Sequence, residues 1–181
     1  LLAAFCEVVQ AGNAVAAIIS AGIIPAGMEM MDKMAVQAAE AFAKAGYPLD
    51  AEAILIIELD GAAAELATLN TQVTDILRAY GAYQIDEAHD ATQQARLWKG
   101  RKSAFPAIGR LSPDYLCMDG TIPRKALPKV LTEIDTISQT FGLAVANVFH
   151  AADGNLHPLV LFDANVPGQT DHAMAMGAKI L

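Results

Sequence analysis

The 181-residue chain is poor in cysteine, aromatic residues and charge: two Cys, one Trp, 6% aromatic and 18% charged residues. Cys6 and Cys117 lie far apart, with no Cys-x-x-Cys spacing. That excludes a disulfide framework and a zinc knuckle, and predicts two buried thiols in a reducing compartment. Twelve basic residues face twenty acidic ones, for a net charge of −8, and no basic cluster is longer than Lys99–Lys102. Nucleic acid and anionic membrane surfaces are poor partners for such a chain. The longest apolar run, Ala14 to Met28, is broken by Ser20, Gly22 and Pro25 and is too short to span a bilayer. No secretory signal, P-loop, Gly-x-Gly-x-x-Gly or Ser-His-Asp spacing is present, and the reading is of a cytoplasmic protein. The chain opens without Met inside the apolar stretch Leu1-Leu-Ala-Ala-Phe, as expected of a piece of a longer protein.

What is abundant is core material: 54% of residues are hydrophobic. Helical spacing predicts helices over Ala11–Ala21, Ala35–Lys44, Asp60 to about Tyr80, Ala91–Phe105, Arg124–Phe141 and from Gln169 onward. Strands are expected at Leu1–Phe5, Pro25–Asp32, Ala53–Leu59, Ala82–Glu87 and Asp114–Asp119, with a turn at Gly120–Pro123. Met28, Met30 and Met31 read as core. A unit of strand, Gly-terminated helix and returning strand recurs at 1–31, 53–88 and 114–150. The expectation is one α+β domain over 1–181, an antiparallel or mixed sheet with helices mainly on one face.

Chemistry concentrates in Val145 to Phe162, VANVFHAADGNLHPLVLF. Asp153-Gly154 is a strong two-residue hairpin signal, since a type I′ turn needs φ > 0 at both central residues. That turn sets His150 opposite His157, with Cβ atoms about 4.5–5.5 Å apart, and sets Pro158, which has no N–H, opposite Phe149. Two imidazoles so placed suit a divalent ion; the bland reading is a hairpin with two histidines on a wet face. Asp153 is a turn former before it is a ligand. Asn155 could orient a flavin or substrate, or merely flank the turn. Lys99, Arg101, Lys102 and Arg110 form either a solvated face or a carboxylate site. His89 reads as a surface residue near a helix N-terminus, and His172 has no visible partner.

The segment Asn147-Val-Phe-His-Ala-Ala-Asp-Gly-Asn-Leu-His-Pro158 resembles the His-x-Gly-Asp-Gly-Asn-Leu-His stretch of FAD-linked oxidases, among them the glycolate oxidase flavin subunit and the D-lactate and D-2-hydroxyglutarate dehydrogenases. The resemblance implies a ferredoxin-like cap domain, with His150 and His157 as metal ligands (zinc, manganese or iron) beside the flavin. Ala152 departs from the family's Gly. Trp98-Lys-Gly-Arg101 is similar to the family's Trp-x-x-Arg, which implies that Arg101 holds the substrate carboxylate. The lysine that some relatives carry before Asp-x-[Ser/Thr]-x-Pro is replaced by Cys117-Met118 ahead of Asp119-Gly-Thr-Ile-Pro123.

The implied activity is FAD-dependent oxidation of a small 2-hydroxy acid, of glycolate or D-lactate type, to the 2-oxo acid. FAD would be held mainly by an upstream domain, with Asn155 as the contact from this chain. A third metal ligand and the general base are expected beyond Leu181, so no catalytic residue is assigned here, and 1–181 alone is expected to be inactive and to bind metal weakly. Expected partners are the hydroxy acid and electron-transfer subunits, which could hold the protein peripherally at a membrane. The rival is a non-catalytic ferredoxin-like module for a small ligand or another subunit.

Overall fold

The computed structural model describes residues 1–181 except for the side chain of Ala63. In chain order the elements are β1 (Leu2–Phe5), α1 (Val8–Ser20), β2 (Gly27–Asp32), α2 (Lys33–Ala43), β3 (Ala53–Glu58), α3 (Ala63–Ala79) and β4 (Ala82–Asp86). They continue as α4 (Ala91–Lys102), α5 (Ala104–Ile108), β5 (Asp114–Cys117), β6 (Gly120–Thr121), α6 (Leu127–Phe141), β7 (Val145–His150), β8 (Asn155–Phe162) and α7 (Gln169–Ile180). The helix expected over Ala91–Phe105 is two helices, α4 and α5. The turn expected at Gly120–Pro123 begins as a short strand, β6, paired to β8.

All pairings are antiparallel, and the strands run in the order β4-β1-β3-β2-β7-β8-β5. The first four give the 4-1-3-2 order of a ferredoxin-like sheet, built from the repeated strand–helix–strand unit that the sequence displays. The third unit and β8 extend that sheet.

Alternation along the strands divides the core in two. Met28, Met30, Leu55, Ile57, Phe149 and Val160 point to one face, covered by α1, α3, α6 and α7. Met31, Ile54, Ile56, Val148, Leu159 and Leu161 point to the other, covered by α2, α4 and α5. The crossover helices α1, α3 and α6 and the terminal α7 therefore share one layer, as expected, and a smaller layer covers the opposite face. Alanines 35, 38, 39, 104 and 107 make that second layer thin, because they let α2 and α5 approach closely. Two expectations need correction. Cys6 and Cys117 are exposed rather than buried, since each stands at a strand end facing outward. His172 has a partner: its Nε2 lies 2.7 Å from the Phe141 carbonyl, and its ring packs on Phe141. No helix among the described residues is long and apolar enough to cross a membrane.

Candidate functional site

The hairpin between β7 and β8 forms, in a register two residues away from the expected one. His150 opposes Asn155, Val148 opposes His157, and Asn147, not Phe149, opposes Pro158. A four-residue loop, Ala151 to Gly154, replaces the two-residue turn. Ala151 and Ala152 both donate N–H to the Met28 carbonyl of β2, at 2.8 and 3.2 Å. Gly154 takes φ +79°, and a Cβ there would collide with the Ile122 carbonyl. These tertiary bonds outweigh the local preference of Asp-Gly, which retains only the Asx role: Asp153 Oδ1 accepts from Asn155 N at 3.0 Å. Ala152 has no positive φ, since Lys44 is the only non-glycine with one among the described residues. Alanine is therefore unstrained where the family has Gly.

A shift of two keeps every side chain on its face. His150 and His157 consequently share one face as diagonal neighbours, with ring centroids 5.1 Å apart and planes at 89°. His157 packs edge-on to Phe105 of α5 and is largely buried, whereas the His150 side chain is 44% exposed. Asp119 Oδ1 lies 3.8 Å from His157 Nδ1, but its side chain is 73% exposed.

The same face carries a residue that the sequence reading missed. Glu29, on β2 directly opposite His150, is buried. Its Oε1 accepts from His150 Nδ1 at 2.8 Å, and its Oε2 accepts from Arg101 Nε at 2.9 Å. Arg101 Nη2 lies 2.7 Å from the same Oε2 without hydrogen-bonding alignment, so it is buried with no hydrogen-bond partner. Arg101 is itself buried, which corrects the solvated-face reading for this residue; Lys99 and Lys102 are exposed, and Arg110 stacks over Phe42 instead.

The helix that delivers Arg101 is seated by its neighbours. Trp98, one turn earlier on α4, rests on Gly27, where an added Cβ would meet the indole at 3.3 Å. Tyr47 donates its hydroxyl to the Leu97 carbonyl, and Gly100 leaves room for the Tyr47 ring. Burial pushes the Tyr47 phenol well above its ordinary range. Trp98 and Arg101, three residues apart, thus meet Gly27 and Glu29, two residues apart on β2. A cleft of about 330 Å³ opens beside Trp98 and Leu97, lined by none of the histidines or Arg101.

Asn155 is next to His157 on this face, its Nδ2 3.5 Å from His157 Nε2 and its Oδ1 buried without a partner. His89 is exposed just before the N-terminus of α4, as expected. Among the described residues no group of three or more His, Cys, Asp or Glu is arranged to hold a metal ion. The donor set nevertheless fits part of one. His150 gives Nδ1 to a carboxylate and so keeps Nε2 for a ligand, the arrangement common in metal-bound imidazoles.

The chain is 57% identical over 181 residues to glycolate oxidase subunit GlcD of Escherichia coli (strain K12), covering 100% of this chain and 36% of the relative. It is 32% identical over 163 residues to glycolate oxidase subunit GlcD of Bacillus subtilis (strain 168), covering 90% and 35%. It thus spans about a third of the length of these relatives. Among solved structures, p-cresol methylhydroxylase with substrate bound superposes with a TM-score of 0.68 at 12% identity, over 99% of this chain and 42% of that one, which establishes likeness of fold. The family described as FAD linked oxidases, C-terminal domain, matches residues 1–181 throughout. By that match, the chain belongs to the C-terminal domain family of FAD-linked oxidases.

Proposed function

We propose that this chain is the substrate-side cap domain of an FAD-dependent oxidoreductase that converts a small 2-hydroxy acid, of glycolate or D-lactate type, to the 2-oxo acid. The observation that carries the reading is the convergence of two imidazoles and a buried guanidinium on one sheet face, joined through Glu29. Relatives bearing the names glycolate oxidase and D-lactate dehydrogenase support the substrate class.

In this reading the Arg101 guanidinium, whose Nη2 makes no hydrogen bond, holds the substrate carboxylate and fixes the α-carbon relative to the histidines. Its Nε remains on Glu29, so the guanidinium cannot rotate away. His150 and His157 hold a divalent ion, with Nδ1 of His150 kept on Glu29. Asn155, with its unpaired Oδ1, contacts the flavin. When bound, the ion supplies Lewis acidity toward the α-hydroxyl and FAD supplies the acceptor for the α-hydride. Phe105 of α5 packs against His157 and covers one side of the pair. A cytoplasmic location with electron-transfer partner subunits completes the reading, in keeping with relatives that are themselves called subunits.

The test is steady-state turnover of the full-length protein on a panel of 2-hydroxy acids with an artificial electron acceptor. The expected result is turnover of glycolate or D-lactate, and none of the matching esters, which lack the carboxylate. Equal turnover of acid and ester would overturn the role of Arg101.

A further inference from the structure

Glu29 contacts both His150 and Arg101, the two ends of the site. It lies on β2, its side chain is 11% exposed, and its two oxygens are divided between two elements distant in sequence. Oε1 meets β7 at His150 Nδ1, and Oε2 meets α4 at Arg101 Nε. A carboxylate with both oxygens accepting from N–H groups requires His150 to carry its proton on Nδ1, which leaves Nε2 without a proton on a ring that is partly exposed. The same carboxylate pins one edge of the Arg101 guanidinium, with Nε hydrogen-bonded and Nη2 in ionic contact at 2.7 Å but without a hydrogen bond of its own.

We propose that Glu29 is the positioning residue of this site, setting the tautomer and orientation of His150 with one oxygen and the orientation of Arg101 with the other. The inference rests on the reading of His150 and His157 as metal-holding and of Arg101 as carboxylate-holding. It makes metal affinity and substrate carboxylate binding depend on one side chain that touches neither metal nor substrate. No replacement short of a carboxylate accepts from both neighbours. A Gln whose oxygen accepts from Arg101 Nε–H turns its NH2 to His150 Nδ1, which either clashes N–H against N–H or forces the His150 proton onto Nε2, the nitrogen a metal needs.

The experiment compares the full-length protein with its Glu29→Gln, Glu29→Met/Arg101→Met and His150→Ala variants. Zinc is titrated by calorimetry, and the visible absorption of a cobalt-substituted sample is recorded. The Met/Met variant removes both buried charges at similar volume, so it provides a folded protein without Glu29 if the single variant fails to fold. The expected result is zinc binding weakened about 10- to 100-fold in both Glu29 variants, with an altered cobalt spectrum, and zinc binding lost in His150→Ala. Zinc affinity and cobalt spectrum unchanged in both Glu29 variants, with binding still lost in His150→Ala, would overturn this inference alone. No zinc uptake by the unaltered protein would overturn the metal-holding reading and this inference with it.

Discussion

Two carboxylates stand three residues apart on β2, Glu29 within the strand and Asp32 at its end, on opposite faces, and both are buried. Glu29 faces the thin helix layer, where Arg101 matches its charge and His150 takes its other oxygen. Asp32 faces the thick layer and has only amide N–H donors: Ala35 N at 2.9 Å, Asn147 N at 2.7 Å and Asn147 Nδ2 at 2.8 Å. Without a cation, burial pushes the Asp32 carboxyl up to about 6 even though those hydrogen bonds pull the other way. One strand thus carries a charge held in place by its counter-charge and a second carboxylate that serves as the N-cap of α2. On the proposed reading, the difference between them separates a site residue from a structural one, although both would look alike as isolated acidic positions.

The largest expected effect comes from breaking the charged end. Arg101→Ala leaves Glu29 buried without its guanidinium counter-charge, which should cost about 3–5 kcal/mol of stability in a urea titration. In the full-length protein, kcat/KM for the 2-hydroxy acid should fall about 10²-fold or more, roughly 2–3 kcal/mol.

Asp32 should respond to pH instead. Its carboxyl is raised in the fold from 3.8 to about 6, so its contribution to stability is complete below pH 4 and is lost as pH rises through 6. The change is at most ~3 kcal/mol. Asp32→Asn should flatten this part of the stability–pH curve, read from denaturation midpoints between pH 4 and 7.

Smaller effects sharpen the account of the loop that ties the histidine strands to β2. Gly154→Ala forces a Cβ into a left-handed backbone and against the Ile122 carbonyl, and should cost ~2 kcal/mol or more by thermal melting. Ala152→Gly, which restores the family's residue at an unstrained position, should lower stability by no more than ~1 kcal/mol. It should also leave zinc affinity unchanged in calorimetry.

Much of this was legible before any coordinates. The three strand–helix–strand units and the apolar β3 covered on both faces follow from periodicity, and the shared face of the two histidines from the count around Asp153-Gly154. The last survived a register error because a slip of two preserves the face, whereas a slip of one would have reversed it. The turn type was not legible, because Ala151 and Ala152 choose the Met28 carbonyl, a long-range acceptor that no local signal announces. Nor was Glu29, a single acid in Gly-Met-Glu-Met-Met-Asp. Only the pairing of β2 with β7 sets it beside His150, and only the packing of Trp98 on Gly27 brings Arg101 above it. The exposed cysteines show the limit of residue preference, since both lie at strand ends where the core has already closed.

The central claim is that the imidazole pair and Arg101 are one site serving oxidation of a 2-hydroxy acid by a bound flavin. It is tested most directly by mixing the full-length protein anaerobically with glycolate or D-lactate and following the bleaching of the oxidised flavin band in a single turnover. Rapid bleaching is predicted in the unaltered protein, with a rate reduced by about 10²-fold or more in both Arg101→Ala and His150→Ala. Bleaching at an unchanged rate in His150→Ala and Arg101→Ala, or no bleaching by any 2-hydroxy acid in the unaltered protein, would contradict the account.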